Sequence, residues 1–178
     1  RLLGFDTSYR THWDDADLAS SALATAYEPI HETEIGVWPV FVYDRKEAQL
    51  SAATIPFENG LNIAGVDVLP ETLSPAGLLS VRLDWQGDAS TLAGDEKVTI
   101  QLLGADGIVV AQVDRALTPE QFSRSSNAPE AYGMLLPEQL TVGEHQLIVA
   151  LYVPTAGGTR RILTKSGEDA ATIWQDRR

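Results

Sequence analysis

The stretch Asp95–Asp114, DEKVTIQLLGADGIVVAQVD, constrains the fold of this chain more than any other. Val98, Ile100 and Leu102 alternate with Thr99 and Gln101. Beyond Ala105-Asp106-Gly107, the residues Val109, Ala111 and Val113 alternate with Val110, Gln112 and Asp114. Successive side chains on a strand point to opposite faces, so each arm has one apolar face. Asp-Gly between two such arms is a strong hairpin signal, because glycine adopts positive φ without a side-chain clash. An isolated hairpin is marginal in water, so other segments must cover that face.

The second half of the chain supplies them. Leu61–Val68 has strand character, and Leu79, Val81, Leu83 and Trp85 alternate with Ser80, Arg82, Asp84 and Gln86, the pattern of a half-buried antiparallel strand with a solvated face. Thr118-Pro119-Glu120-Gln121-Phe122 predicts one helical turn, with Thr118 as cap and Pro119 in the first position. Ser123–Pro129 is a polar loop, and Ala131–Leu136 a strand. Val142-Gly143 turns the chain into His145–Val153, apolar on both faces and therefore central. Strands at Thr159–Thr164 and Ala170–Gln175 close the series. About eight strands with frequent turn signals predict an all-β fold: an antiparallel β-sandwich, immunoglobulin-like or jelly-roll, with one short N-terminal helix.

The first part of the chain is less regular. Arg1–Asp6 predicts a strand, and Asp14–Tyr27 a helix capped by Asp14 or Asp15 and stopped at Pro29. Gly36–Tyr43 is apolar, but Pro39 cannot donate a ladder hydrogen bond, which predicts an edge or bulged strand added to the sandwich. Gln49–Ile55 predicts a further strand. The turn Glu58-Asn59-Gly60 divides the chain into residues 1–58, a segment with one helix and one or two strands packed on the sandwich, and residues 59–178, the sandwich itself.

Composition narrows the function. The 178 residues carry a net charge of −12, split equally between residues 1–58 and 59–178. With no basic patch in the sequence, neither nucleic-acid binding nor direct lipid binding is expected. The chain has no cysteine, which removes disulfides, thiolate metal sites and cysteine nucleophiles. It holds no apolar run long enough to span a bilayer. It opens with Arg1 rather than Met, which suggests a fragment or processed form whose anchor lies elsewhere.

From about Asn59 to Tyr152 the chain resembles a β-sandwich domain of bacterial cell-surface proteins. It is similar to the extracytoplasmic C-terminal domains of polytopic glycosyltransferases of the protein mannosyltransferase type. The likeness rests on IAGVDV (63–68), LSPAGLLSVRLDWQ (73–86), VTIQLLGADGIVVAQVD (98–114) and LPEQLTVGEHQLIVALYVPTAGG (136–158). In such domains a proline-glycine turn precedes the glutamate and an aromatic starts the central strand; here Val142-Gly143 and His145 take those places. The resemblance implies a non-catalytic accessory domain, extracytoplasmic at the bacterial cell surface, anchored by another part of its protein, with a protein or a glycan as partner. It implies no catalytic residues.

The residues agree with that expectation. The chain has neither Gly-x-Ser-x-Gly nor Ser-x-x-Lys, and its three histidines do not share a metal-ligand spacing. His12 with Asp14, Asp15 and Asp17 lacks the ligand order of a calcium loop and fits an acid-rich helix start. Neither a cofactor nor a metal site is expected. Of the four tryptophans, Trp85 continues the apolar face of its strand and Trp38 sits in an apolar run, so both are expected to be packed. Trp13 and Trp174 sit among polar neighbours. They are the candidate ligand contacts of an alternative reading, a carbohydrate-binding module, because a ring beside carboxylates or amides stacks on a sugar face while its neighbours hold hydroxyls. A structural subunit of a surface assembly, meeting its neighbour through the Pro39 strand, is the remaining alternative.

Overall fold

The computed structural model of the chain describes residues 2–5, 18–123, 129–140 and 143–176. The hairpin is β7 (Lys97–Leu103) and β8 (Val109–Ala116). Its loop is a turn about Ala105-Asp106: the Gly107 N–H donates to the Gly104 carbonyl at 2.9 Å, and Gly107 has φ +76. The Ile108 N–H donates to Asp106 Oδ1 at 3.0 Å, so the aspartate holds the turn through its side chain. The ladder shifts register between Leu102 and Leu103, a bulge that strengthens local twist.

The hairpin belongs to one of two antiparallel sheets, and the other closes over its buried face. One is ordered β4-β5-β6-β9, from Ser51–Pro56, Asn62–Leu69, Leu78–Gln86 and Glu130–Leu135. The other is ordered β11-β10-β7-β8, where β10 is Gln146–Thr155 and β11 is Gly158–Ile162. A last strand, β12 (Ala171–Gln175), pairs with Gln146–Val149, while β11 pairs with Leu151–Thr155; the two share one edge of β10. The all-β sandwich predicted above is the fold. Leu79, Val81 and Leu83 meet Ile100, Leu102, Leu147 and Val149 in its core, and all are fully buried. Trp85 joins them, donating from Nε1 to the Tyr132 hydroxyl at 3.1 Å. The helical turn is α2 (Pro119–Ser123), and the Gln121 side chain accepts from the Thr118 N–H at 2.9 Å, half of a capping box.

The seams between the sheets are stitched at both sides. On one, Arg115 of β8 donates to the Ala131 carbonyl at 2.8 Å and to Glu130 Oε1 at 3.1 Å, with its guanidinium 4.9 Å from the centre of the Tyr132 ring. On the other, Phe57 bridges to Thr164, and the Lys165 N–H donates to the Pro56 carbonyl at 2.8 Å.

The first part of the chain departs from expectation. Among the described residues it contributes four strands where one or two were expected of the segment: β1 (Leu2–Phe5), β3 (Trp38–Arg45) and β4 fall on predicted strands, and β2 (Tyr27–Ile35) is the addition. The strand holding Pro39 does not extend the sandwich. It is the centre of a separate sheet, β1-β3-β2, which lies as a third layer over β6 and β9. A two-residue hairpin joins β2 to β3, with Gly36 at φ +67 in its first position, as a type II′ turn requires. In such a hairpin Ile35 and Trp38 exchange hydrogen bonds, so at the next pair, Glu34–Pro39, the proline nitrogen points away from β2. Among the described residues β1 pairs with β3 only as far as Val40, and no described ladder bond needs a proline N–H.

The helix, α1, spans Leu18–Ala26 among the described residues; its expected caps Asp14 and Asp15 lie outside them. Pro29 does not merely stop it. The chain enters β2 at Tyr27, and a register shift between Pro29 and His31 turns Ile30 inward. Ile30 and Val42 of this cap sheet pack on Leu78 and Ala131 of the sandwich. At Gly133 the layers approach so closely that a Cβ would lie 2.7 Å from the Ile30 carbonyl oxygen.

Candidate functional site

The cap sheet overturns one expectation directly. Ser80 and Arg82, predicted on a solvated face, are 2% and 1% exposed. Arg82 stands at the seam between cap and sandwich. Its Nη1 donates to the Glu47 carbonyl at 3.1 Å, its Nη2 lies 3.7 Å from Asp44 Oδ2, and its Nε lies 3.7 Å from Glu28 Oε1. One guanidinium thus joins β2, β3 and the connector after β3. At 3.7 Å the carboxylates neutralise its charge without completing its hydrogen bonds, and Nε, Nη2 and Asp44 Oδ2 are buried without a partner. His31 Nε2 and Ser80 Oγ at the same seam are also buried and unpartnered.

The connector that Arg82 holds forms one wall of an open cleft of about 1000 Å³. Strand β4 covers β5 only as far as Val66, so beyond it the seam between the two sheets stays open. Val66–Leu69 of β5 form one side, Glu47–Gln49 a second, and Ile173–Asp176 at the end of β12 a third. The Gln49 N–H donates to Asp67 Oδ2 at 3.3 Å, and Asp67 sits directly across the ladder from Arg82. Carboxylates of Glu47, Asp67, Glu71 and Asp176 line the cleft, with Arg45 as the cation among the lining side chains.

Trp174 is one of the lining residues. It pairs with the core residue Leu147, so its side chain starts from the inner face of its sheet, and its ring is half-buried against the core. The indole therefore both closes the sandwich edge and walls the cleft. Trp13, the other candidate contact, lies outside the described residues, as do His12, Asp14, Asp15 and Asp17. Trp85 is a core residue, as expected, and Trp38 lies in β3. His31 in the cap and His145 at the foot of β10 do not come together, and among the described residues no group of three His, Asp or Glu is placed to hold a metal ion.

Two carboxylates outside the cleft depart from their ordinary ionisation. Burial pushes Glu96 up, but backbone N–H groups, those of Ala93 at 2.7 Å and Gly94 at 2.9 Å among them, outweigh it and hold this carboxylate below its usual value. The Asp88 carboxylate is lowered by its hydrogen bond from the Ser90 N–H and caps the 3₁₀ turn Ala89–Thr91. Both are loop braces. Chemically, the cleft offers a ring, several anionic acceptors and the amide side chains of Gln49 and Gln175, groups that can meet a hydroxyl-rich surface.

Comparison of the chain with protein-family models and with curated proteins gives no match.

Proposed function

We propose that the chain is a non-catalytic interaction domain of a larger extracytoplasmic protein at the bacterial cell surface, and that it meets its ligand at the cleft beside Trp174. The order β5-β6-β9 facing β11-β10-β7-β8 supports an immunoglobulin-like reading: it is the A-B-E and G-F-C-C′ order of such sandwiches. Sandwiches of this kind present ligands at their ends and edges, on loops and strand termini held by a rigid core. The observation that carries the proposal is the open seam itself, with one wall braced from beneath by Arg82.

A neutral glycan is the ligand this cleft favours, because Trp174 supplies a stacking face and Glu47, Asp67 and Gln49 supply hydroxyl partners. The test is a glycan array followed by calorimetry on the wild type and Trp174→Ala. Binding of a neutral oligosaccharide that drops at least about tenfold in the variant, the worth of one stacked ring, supports the reading. Unchanged binding, or none across the array, refutes the glycan; labelling of intact source cells that leaves the domain unmarked refutes the surface location.

A further inference from the structure

We propose that the outward face of sheet β11-β10-β7-β8 is a second binding surface, for a carboxylated sugar ring, with Tyr152 as platform between Lys97 and Arg161. This site shares no residue with the cleft and does not depend on it. Lys97, Tyr152 and Arg161 occupy one row across three adjacent strands, since Tyr152 pairs with Lys97 on one side and with Arg161 on the other. Arg160 pairs with the core-facing Val153 and so starts from the other face. Lys97 and Arg161 are thus the two cations of this row, on a chain whose net charge is −12.

The tyrosine lies flat. Its hydroxyl donates to Asp114 Oδ1 at 3.1 Å, yet Tyr152 is on β10 and Asp114 on β8, two strands away. Neighbouring strands are about 4.8 Å apart, so the side chain must run across β7 along the sheet. This accounts for the burial of Thr99 and Ala150 on a face that is otherwise open: each is 3% exposed. One ring face covers them, and the Arg161 guanidinium lies over the ring 5.8 Å from its centroid, near the limit of cation–π contact; a sugar stacking on the outward face displaces this exposed side chain toward the sugar's own carboxylate. Asp114 bonds through Oδ1, which leaves its second oxygen as an acceptor. Next to it, Gln101 and Gln112 are joined at 3.2 Å and present further amide groups.

Charge decides the occupant. A pyranose ring offers an apolar face to stack on Tyr152 and hydroxyls for Asp114 and the glutamines. A carboxylate on that ring reaches Arg161 or Lys97 through charge-assisted bonds. The net charge of −12 repels a long polyanion at range, so a single acidic ring, not a polyelectrolyte, fits the patch.

The test is a heteronuclear NMR titration of the intact chain with methyl β-D-glucuronide and with methyl β-D-glucoside, probes that differ in the carboxylate. The expected result is movement of the Lys97, Tyr152 and Arg161 amide signals, with the glucuronide binding about tenfold tighter, the worth of one charge-assisted bond. Arg161→Gln combined with Lys97→Gln should erase that ratio, and Tyr152→Ala should remove both ligands, while the remaining signals report an intact fold. Equal affinity for the two glycosides, shifts confined to residues around Trp174, displacement by sulfate with an affinity indifferent to Tyr152→Ala, or no shift at all would each overturn the proposal; shifts at Trp174 alone would still leave the cleft reading standing.

Discussion

Arg82→Met separates the cap from the sandwich. In the native chain the guanidinium is buried, and the Glu28 and Asp44 side chains are 19% and 15% exposed. A unit charge pair near 4 Å is worth about 4 kcal/mol at an effective dielectric of about 20, and Arg82 makes two such pairs at 3.7 Å. That gain is offset by the cost of burying the guanidinium, several kcal/mol. Removing the cation alone leaves the Asp44 carboxylate, whose Oδ2 is buried with no hydrogen bond, facing an apolar side chain in place of the guanidinium, a change that costs about 3–5 kcal/mol for fully buried pairs. Both carboxylates retain some access to water, so the loss falls at the lower end, about 3 kcal/mol.

That loss is large against what else holds the cap. Among the described residues Ile30, Val42, Leu78 and Ala131 form its apolar contact, and a large buried side chain contributes about 2 kcal/mol. The sandwich core does not pass through this seam. Arg82→Met should therefore release β2 and β3 as a unit and leave the sandwich folded. Hydrogen exchange followed by mass spectrometry is the assay. Amides of Ile30, His31 and Val42 should exchange about a hundredfold faster, since each 1.4 kcal/mol is a factor of ten, while those of Ile100 and Val149 keep their rates. Adding Asp44→Asn should restore much of the protection, because the buried charge opposite the missing guanidinium is then gone. Unchanged exchange in the cap, or acceleration of cap and core together, would refute the assignment of Arg82 as the brace between two separable layers.

Gly133→Ala tests the same seam without touching a charge. A Cβ there meets the Ile30 carbonyl at 2.7 Å, and a backbone atom cannot turn aside, so the cap must lift; exchange at Ile30 and His31 should rise while the melting transition of the sandwich stays in place. Glu96→Gln tests the loop brace. Its carboxylate is held below the ordinary value, so its stabilisation is fully present above the unfolded-state pKa and lost as pH falls through the lower folded value. The variant should be about 1 kcal/mol less stable in denaturant at pH 7, and the difference should shrink as acid protonates the wild-type carboxylate; a difference that stays constant on acidification would show that the brace is not ionic.

The sandwich was legible because its pattern is local. Alternation at Leu79, Val81, Leu83 and Trp85 dictates which side of β6 is buried, and the Asp-Gly turn dictates how β7 meets β8. Strand β2 was not legible. YEPIHETEI carries a proline and three glutamates, which suit a loop, and only pairing along β3 makes it a strand. Trp174 could be singled out by its polar neighbours, but its cleft could not. Glu47 and Asp67 reach it from distant segments, and what opens the seam is the length of β4, a boundary no residue type announces.

The buried face of β6 did leave a signal in the sequence, though not on β6. Alternation gives each strand two faces but does not say what lies beyond the polar one. The neighbouring strand does. Ala131 and Gly133 of β9 share the outward face with Arg82 and Ser80, since the ladder pairs them directly. A strand on a solvated face gains from β-branched or long polar side chains that shield the ladder. It has no use for Gly inside AYGML unless another backbone comes close. Small residues opposite a polar strand therefore point to a covering layer, and an arginine among them to carboxylates within it. Glu28 and Asp44, in the very segment that escaped the strand pattern, are those carboxylates.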